Sequence, residues 1–124
     1  MFPKTTTYHL ARTPADYRLC HLLREAAGTP KTTLSFPTVY ALRNVTDIVG
    51  FLGGGTSTGQ VVAGPLVTDP TLKNPIFVAM RLGEAFEQVI TDAAVPSYRV
   101  GISKAQTGWL ATSERAGFHR YTET

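Results

Sequence analysis

Apolar and polar residues alternate through "TTYHLART", which predicts a first strand over residues 5–11. The spacing then changes to that of a helix. Thr13 is placed as N-cap, Pro14 at the first helical position, and Asp16 completes a capping-box pair. The apolar stripe of this helix is Leu19, Leu22, Leu23, Ala26 and Ala27, and Gly28 closes it. The segment "TPKTTLSFP" (residues 29–37) carries two prolines among polar residues and reads as a loop able to act as a lid. "TVYALRN" and "DIVGFLGG" read as a hairpin turning near Asn44 to Thr46, and "GGGTSTG" as a flexible connection to a strand over residues 60–68.

That strand contains Gly64-Pro65. Proline deletes a ladder donor, so it belongs at a bulge, at an edge, or where neighbouring strands part. A long helix follows from Pro75 to about Thr91, with Arg81, Glu84, Glu87, Gln88 and Thr91 on one polar arc and a wide apolar surface opposite. Phe77 falls on the polar arc, either as an exposed anchor for a partner or beneath a neighbouring loop. "SYRVGISK" predicts a strand over 98–103 and "AQTGWLATSERAG" a short helix with Trp109, Leu110 and Ala116 inward. "FHRY" predicts a last strand.

Composition narrows the class. The 124 residues suit one domain over 1–124, and 43% apolar with 17% charged residues suits a globular chain. A net charge of +3, from 12 basic and 9 acidic residues dispersed along the chain, is too weak to indicate nucleic acid. No apolar leader or membrane-length apolar run is apparent, and a lone Cys20 suits a reducing compartment, so the expected location is cytoplasmic. Cys20 reads as a small core residue and His9 and His21 as ordinary histidines. No His/Cys/Asp cluster has metal-ligand spacing, so no metal site is expected.

Four segments together carry a family resemblance: "TPADYRLCHLL", "DIVGFLGG", "PLVTDPTLK" and "ISKAQTGWLATSERAGFHRY". In this order they resemble the GNAT superfamily of acetyl-CoA-dependent N-acetyltransferases. Within it, "VTDPTLKNPIFVAMRLGEAFEQV" is most similar to GNAT-like proteins of short-tailed bacteriophages, some of them internal virion proteins. The resemblance implies a mixed α/β domain whose central sheet has about six strands, order β-α-β-β-β-α-β-α-β. It also implies a sheet splayed near Pro65, with helices on both faces.

The family's pyrophosphate loop, Arg/Gln-x-x-Gly-x-Gly/Ala, falls on Lys73, Asn74, Pro75, Ile76, Phe77 and Val78. Only the basic first position is kept. Pro75 has no N–H to offer a phosphate, and Ile76 and Val78 are expected to bury their side chains and fill the cradle. The family's asparagine falls on Gln106, and its thiolate-protonating tyrosine on Ser113, a weaker and shorter acid. Asp69 and Ser113 are the catalytic candidates, with Asp47, Glu114 and His119 nearby in the expected cleft. If acetyl-CoA binds, its contacts are Leu66, Val67, Lys73, Asn74, Ile76, Phe77, Val78 and Gln106.

The expected function is therefore that of a GNAT-like protein with a degenerate coenzyme loop and no favoured cofactor. It would act through protein contacts by Phe36, Phe77 and Arg81, on a host enzyme or a virion protein, as monomer or homodimer. Nucleic acid and membrane are not expected partners. The alternative is an active acetyl-CoA-dependent N-acetyltransferase acting on a protein or small-molecule amine, holding its coenzyme through the opened sheet and Lys73.

Overall fold

The computed structural model describes residues 5–57, 59–100 and, singly, Arg115. Its elements run β1 (Thr6–Leu10), α1 (Pro14–Ala26), β2 (Val39–Arg43), β3 (Asp47–Ser57), β4 (Gln60–Thr68), α2 (Pro75–Asp92) and β5 (Tyr98–Val100). The strands form one mixed sheet in the order β1-β2-β3-β4-β5. The first three pairings are antiparallel and β4 to β5 is parallel. A parallel neighbour needs a crossover, and α2 supplies it. Five strands are seen among the described residues; the sixth expected strand, "FHRY", and the expected third helix lie outside them, apart from Arg115.

The alternation read from the sequence places one helix on each face. Val39, Ala41, Val49, Leu52 and Ala63 point to one side, where Val78, Leu82, Phe86 and Ile90 of α2 cover them. Tyr40, Phe51 and Val67 point to the other, against Ala11 and the α1 residues Cys20 and Leu23. Phe86 and Leu82 are fully buried, each contributing about 1.5–3 kcal/mol by leaving water. Gly50 lies directly beneath α2: a Cβ there would stand 3.1 Å from Leu82 Cδ1 and 3.1 Å from Val78 Cγ1. Its bare backbone lets the helix sit close to the sheet.

Four readings of the sequence need correction. The run Gly53 to Gly55 is not a flexible connection but the interior of β3. Gly53 and Gly54 are required because the chain before β2 crosses them: a Cβ on Gly54 would collide with the Pro37 carbonyl. The residues around that crossing are tied down. Ser35 N–H donates to Gly54 O (3.0 Å), Gly54 N–H donates to Thr38 Oγ1 (3.1 Å), and the Thr38 hydroxyl donates to Ser35 O (2.6 Å). Residues 35–38 are thus a fixed strap, not a lid.

On α1, Leu22 is exposed (55%) despite its place in the apolar stripe, while Arg24 is buried. The Arg24 guanidinium is held inside by the Thr29 carbonyl, to which Nη1 donates at 2.9 Å, and its Nε donates to His21 Nδ1 at 3.3 Å. Fourth, Ile76 does not bury its side chain: it is 55% exposed. Among the described residues no helix is long and apolar enough to cross a membrane.

Candidate functional site

The sequence places the site where β4 runs into α2, and β4 has an irregularity at that point. Leu52 of β3 pairs with Leu66, yet Gly54 pairs with Ala63. Gly53 therefore faces two residues, Gly64 and Pro65, which form a β-bulge in an interior strand. The bulge alternative is the one observed; for Val61–Ala63 the edge alternative is excluded, because they pair with β5 as well as β3. Gly64 has φ 136, a backbone region that side chains avoid, and it sits where the proline deletes a ladder donor. A Cβ on Gly53 would meet Leu34 Cδ2, Gly64 O and Pro65 Cδ, all at 3.1 Å or less. The strap and the bulge thus converge on Gly53.

Beyond the bulge, Leu66 is partly exposed and Val67 is buried against the α1 face, with its backbone paired to Phe51 of β3. Asp69 then turns the chain. Its Oδ1 accepts from Thr71 N (2.9 Å) and from the Thr71 hydroxyl (2.8 Å), and its own N–H donates to Val49 O at 2.8 Å. The Thr71 N–H, with the Thr71 hydroxyl and the Arg43 charge adding to it, holds the Asp69 carboxyl below the usual range. A general base needs the opposite shift. In this structure the Asp69 carboxylate is engaged in forming the turn.

Helix α2 opens with Asn74 as N-cap, its Oδ1 accepting from Phe77 N at 3.4 Å, and Pro75 at the first position. Of the first-turn amides, Pro75 has none and that of Phe77 is turned to the cap, which leaves the N–H of Ile76 aimed out of the helix. No acidic residue stands in the first turn. Lys73 is exposed just before it. Val78 is buried (7% exposed) against Gly50, so it points under the helix and away from any anion at its start. The expected filling of the cradle by Ile76 and Val78 is therefore not found: one side chain faces solvent and the other the core.

The partner candidates separate. Phe77 is exposed (52%), not covered by a loop, and the Arg81 guanidinium lies over its ring, 5.2 Å from the centroid. Phe36 is also exposed (52%), but it belongs to the strap crossing Gly54. The start of α2 lies over Gly50, four residues back along β3, which is about 13 Å of strand. Ser113, Gln106, Glu114 and His119 lie outside the described residues, so the proton-handling chemistry expected of them has no geometry here.

Sequence reasoning gave no site role to Thr38, which fixes the strap beside the bulge, or to the Asp16–Tyr40 pair, in which the Tyr40 hydroxyl donates to Asp16 Oδ1 at 3.0 Å. Thr38 is a buried threonine just before a strand, and nothing in its sequence context marks it. Cys20 is buried, and burial pushes its thiol up to about 12, so it is an inert core residue. No metal-ligand cluster occurs among the described residues.

No family model and no curated protein sequence matches the chain. Solved structures do. A ribosomal-protein alanine N-acetyltransferase from Escherichia coli superposes with TM-score 0.79 at 12% identity, covering 95% of this chain and 80% of that one. An aminoglycoside acetyltransferase from an uncultured soil sample gives 0.71 at 15% identity, covering 97% and 95%. A GNAT family acetyltransferase from Brucella melitensis, solved in complex with acetyl-CoA, gives 0.69 at 14% identity, covering 94% and 84%. At these identities the likeness establishes the fold: this chain has the GNAT fold.

Proposed function

We propose that the chain is an acyl-CoA-dependent N-acyltransferase, with acetyl-CoA as the coenzyme that the fold suggests. The observation that carries the reading is the Gly64-Pro65 bulge in interior strand β4, immediately before a helix whose start bears no acid. In the resemblance read from the sequence, this is where an opened sheet would receive the coenzyme. The bound coenzyme would supply an activated acyl group. The Leu66 backbone would offer hydrogen bonds to it, and Lys73 with the Ile76 N–H would hold its phosphates. The fit is real but lean, since Pro75 and the Asn74 cap remove two of the amides that could meet an anion.

A second reading, that of a phage-type GNAT-like protein acting through contacts with a host enzyme or a virion protein, draws support from that lean cradle and from exposed Phe77. One titration separates the two. Acetyl-CoA at millimolar concentration should raise the melting temperature by several degrees through mass action, and Lys73→Ala should reduce the shift. If the wild-type chain melts at the same temperature with and without the coenzyme, the acyltransferase reading is wrong.

A further inference from the structure

The outer face of the first two turns of α2 carries an exposed apolar surface. Ile76, Phe77 and Met80 expose 55%, 52% and 52% of their areas, while the helix buries Val78, Ala79, Leu82, Phe86 and Ile90 on the other side. Further along, the exposed arc is polar: Glu84, Glu87, Gln88 and Asp92. The apolar side chains are therefore confined to the start of the helix. The exposed side chain of Lys73 precedes them and Arg81 lies over the Phe77 ring. Glu84 engages only one terminal nitrogen of Arg81, at 3.2 Å, in a largely exposed pair. Such a pair is weak and exchanges readily with another carboxylate.

We infer that this face docks a short amphipathic segment of another protein, apolar on one side and bearing Asp or Glu at its flanks. The apolar anchors would cover Ile76, Phe77 and Met80, and the flanking carboxylates would meet Lys73 and Arg81. Cations flank the apolar patch, Lys73 before it and Arg81 over the Phe77 ring, and no acid stands in the first turn, so the face is complementary to an acidic partner segment. Three apolar side chains and two cations are too few to anchor to a lipid surface. Lys73 is shared with the proposed coenzyme site, where coenzyme phosphates and an acidic flank would compete for it, but the apolar contacts and Arg81 do not depend on coenzyme binding.

Selection from a random peptide-display library against the full chain tests it. Enriched peptides should combine apolar residues at helical spacing with acidic flanks. In fluorescence anisotropy their affinity should fall at least tenfold on Phe77→Asp or Arg81→Glu, and severalfold on raising the salt to 0.5 M. Phe77→Asp should leave the melting temperature unchanged or slightly raised, since an acid in the first turn suits a helix start. The inference is overturned if no acidic-apolar sequence is enriched, or if the selected peptides bind Phe77→Asp as well as wild type. It is equally overturned if Phe77→Asp lowers the melting temperature by several degrees, which would make the ring part of the fold. Sedimentation showing a dimer that Met80→Glu dissolves would assign the face to a second copy instead.

Discussion

The two helices begin in opposite ways. At the start of α1, the carboxylate of Asp16 accepts from Arg12 N (2.8 Å) and Thr13 N (3.1 Å), while the Thr13 hydroxyl accepts from Asp16 N at 3.3 Å. The same carboxylate accepts from the Tyr40 hydroxyl, which joins the helix start to β2. Both helices carry proline at the first position, but at the start of α2 there is no acid, and a single long bond to Asn74 Oδ1 is the cap. The first helix neutralises its positive end with a side chain of its own. The second leaves that end to solvent or to a ligand. One start is built for stability, and the other gives up stability where the candidate site lies.

The largest effect expected from breaking this contrast is at α1. Asp16→Ala removes the capping box and leaves the half-buried Tyr40 hydroxyl without its acceptor, and should cost about 2 kcal/mol in urea unfolding. Asn74→Ala should cost clearly less, about 0.5–1 kcal/mol, because its bond is long and exposed. If the two losses come out equal, the contrast fails. The smallest expected effect sharpens the comparison most. Asn74→Asp gives α2 the negative charge that it lacks and should stabilise the chain by about 0.5 kcal/mol, while weakening any acetyl-CoA response.

Acid should reveal the same asymmetry. The Arg12 N–H, with the Thr13 and Tyr40 donors adding to it, holds the Asp16 carboxyl below its ordinary value of 3.8. A depressed carboxyl contributes its full stability above the unfolded value and loses it as pH falls through the folded one. Unfolding free energy should therefore drop below about pH 4. Asp16→Asn should flatten that fall, leaving the part due to Asp69, whose carboxyl is held low by Thr71. An unchanged acid profile in Asp16→Asn would show that the network contributes nothing.

The α1 start was legible in the sequence because every partner but Tyr40 lies within four residues: Thr13, Pro14 and Asp16 are a local signal, and the capping box formed as read. The α2 boundaries were legible for the same reason, predicted as Pro75 to about Thr91 and observed as Pro75–Asp92. The bulge was legible as one of three alternatives, since proline states what a strand cannot do but not how its neighbour answers. The direction of Ile76 and Val78 was not legible. Both are β-branched and one turn position decides which meets the sheet, so identity alone made them look alike.

The glycine run shows the same limit from the other side. Gly53 to Gly55 read as a loop because glycine usually marks freedom, whereas here it marks crowding by Pro37 and Leu34, residues some twenty positions earlier. By itself the sequence determined the alternation and helical spacing that make a mixed sheet with a helix on either face, and the cap chemistry that starts each helix. These depend on neighbours a few residues apart, whose energies are set before the chain is compact. Tertiary structure alone decided that the strap lies fixed over Gly54, that Arg24 is buried while Leu22 is not, and that Phe77 stands exposed beside Arg81. Each depends on distant segments meeting, and no local preference encodes where that happens.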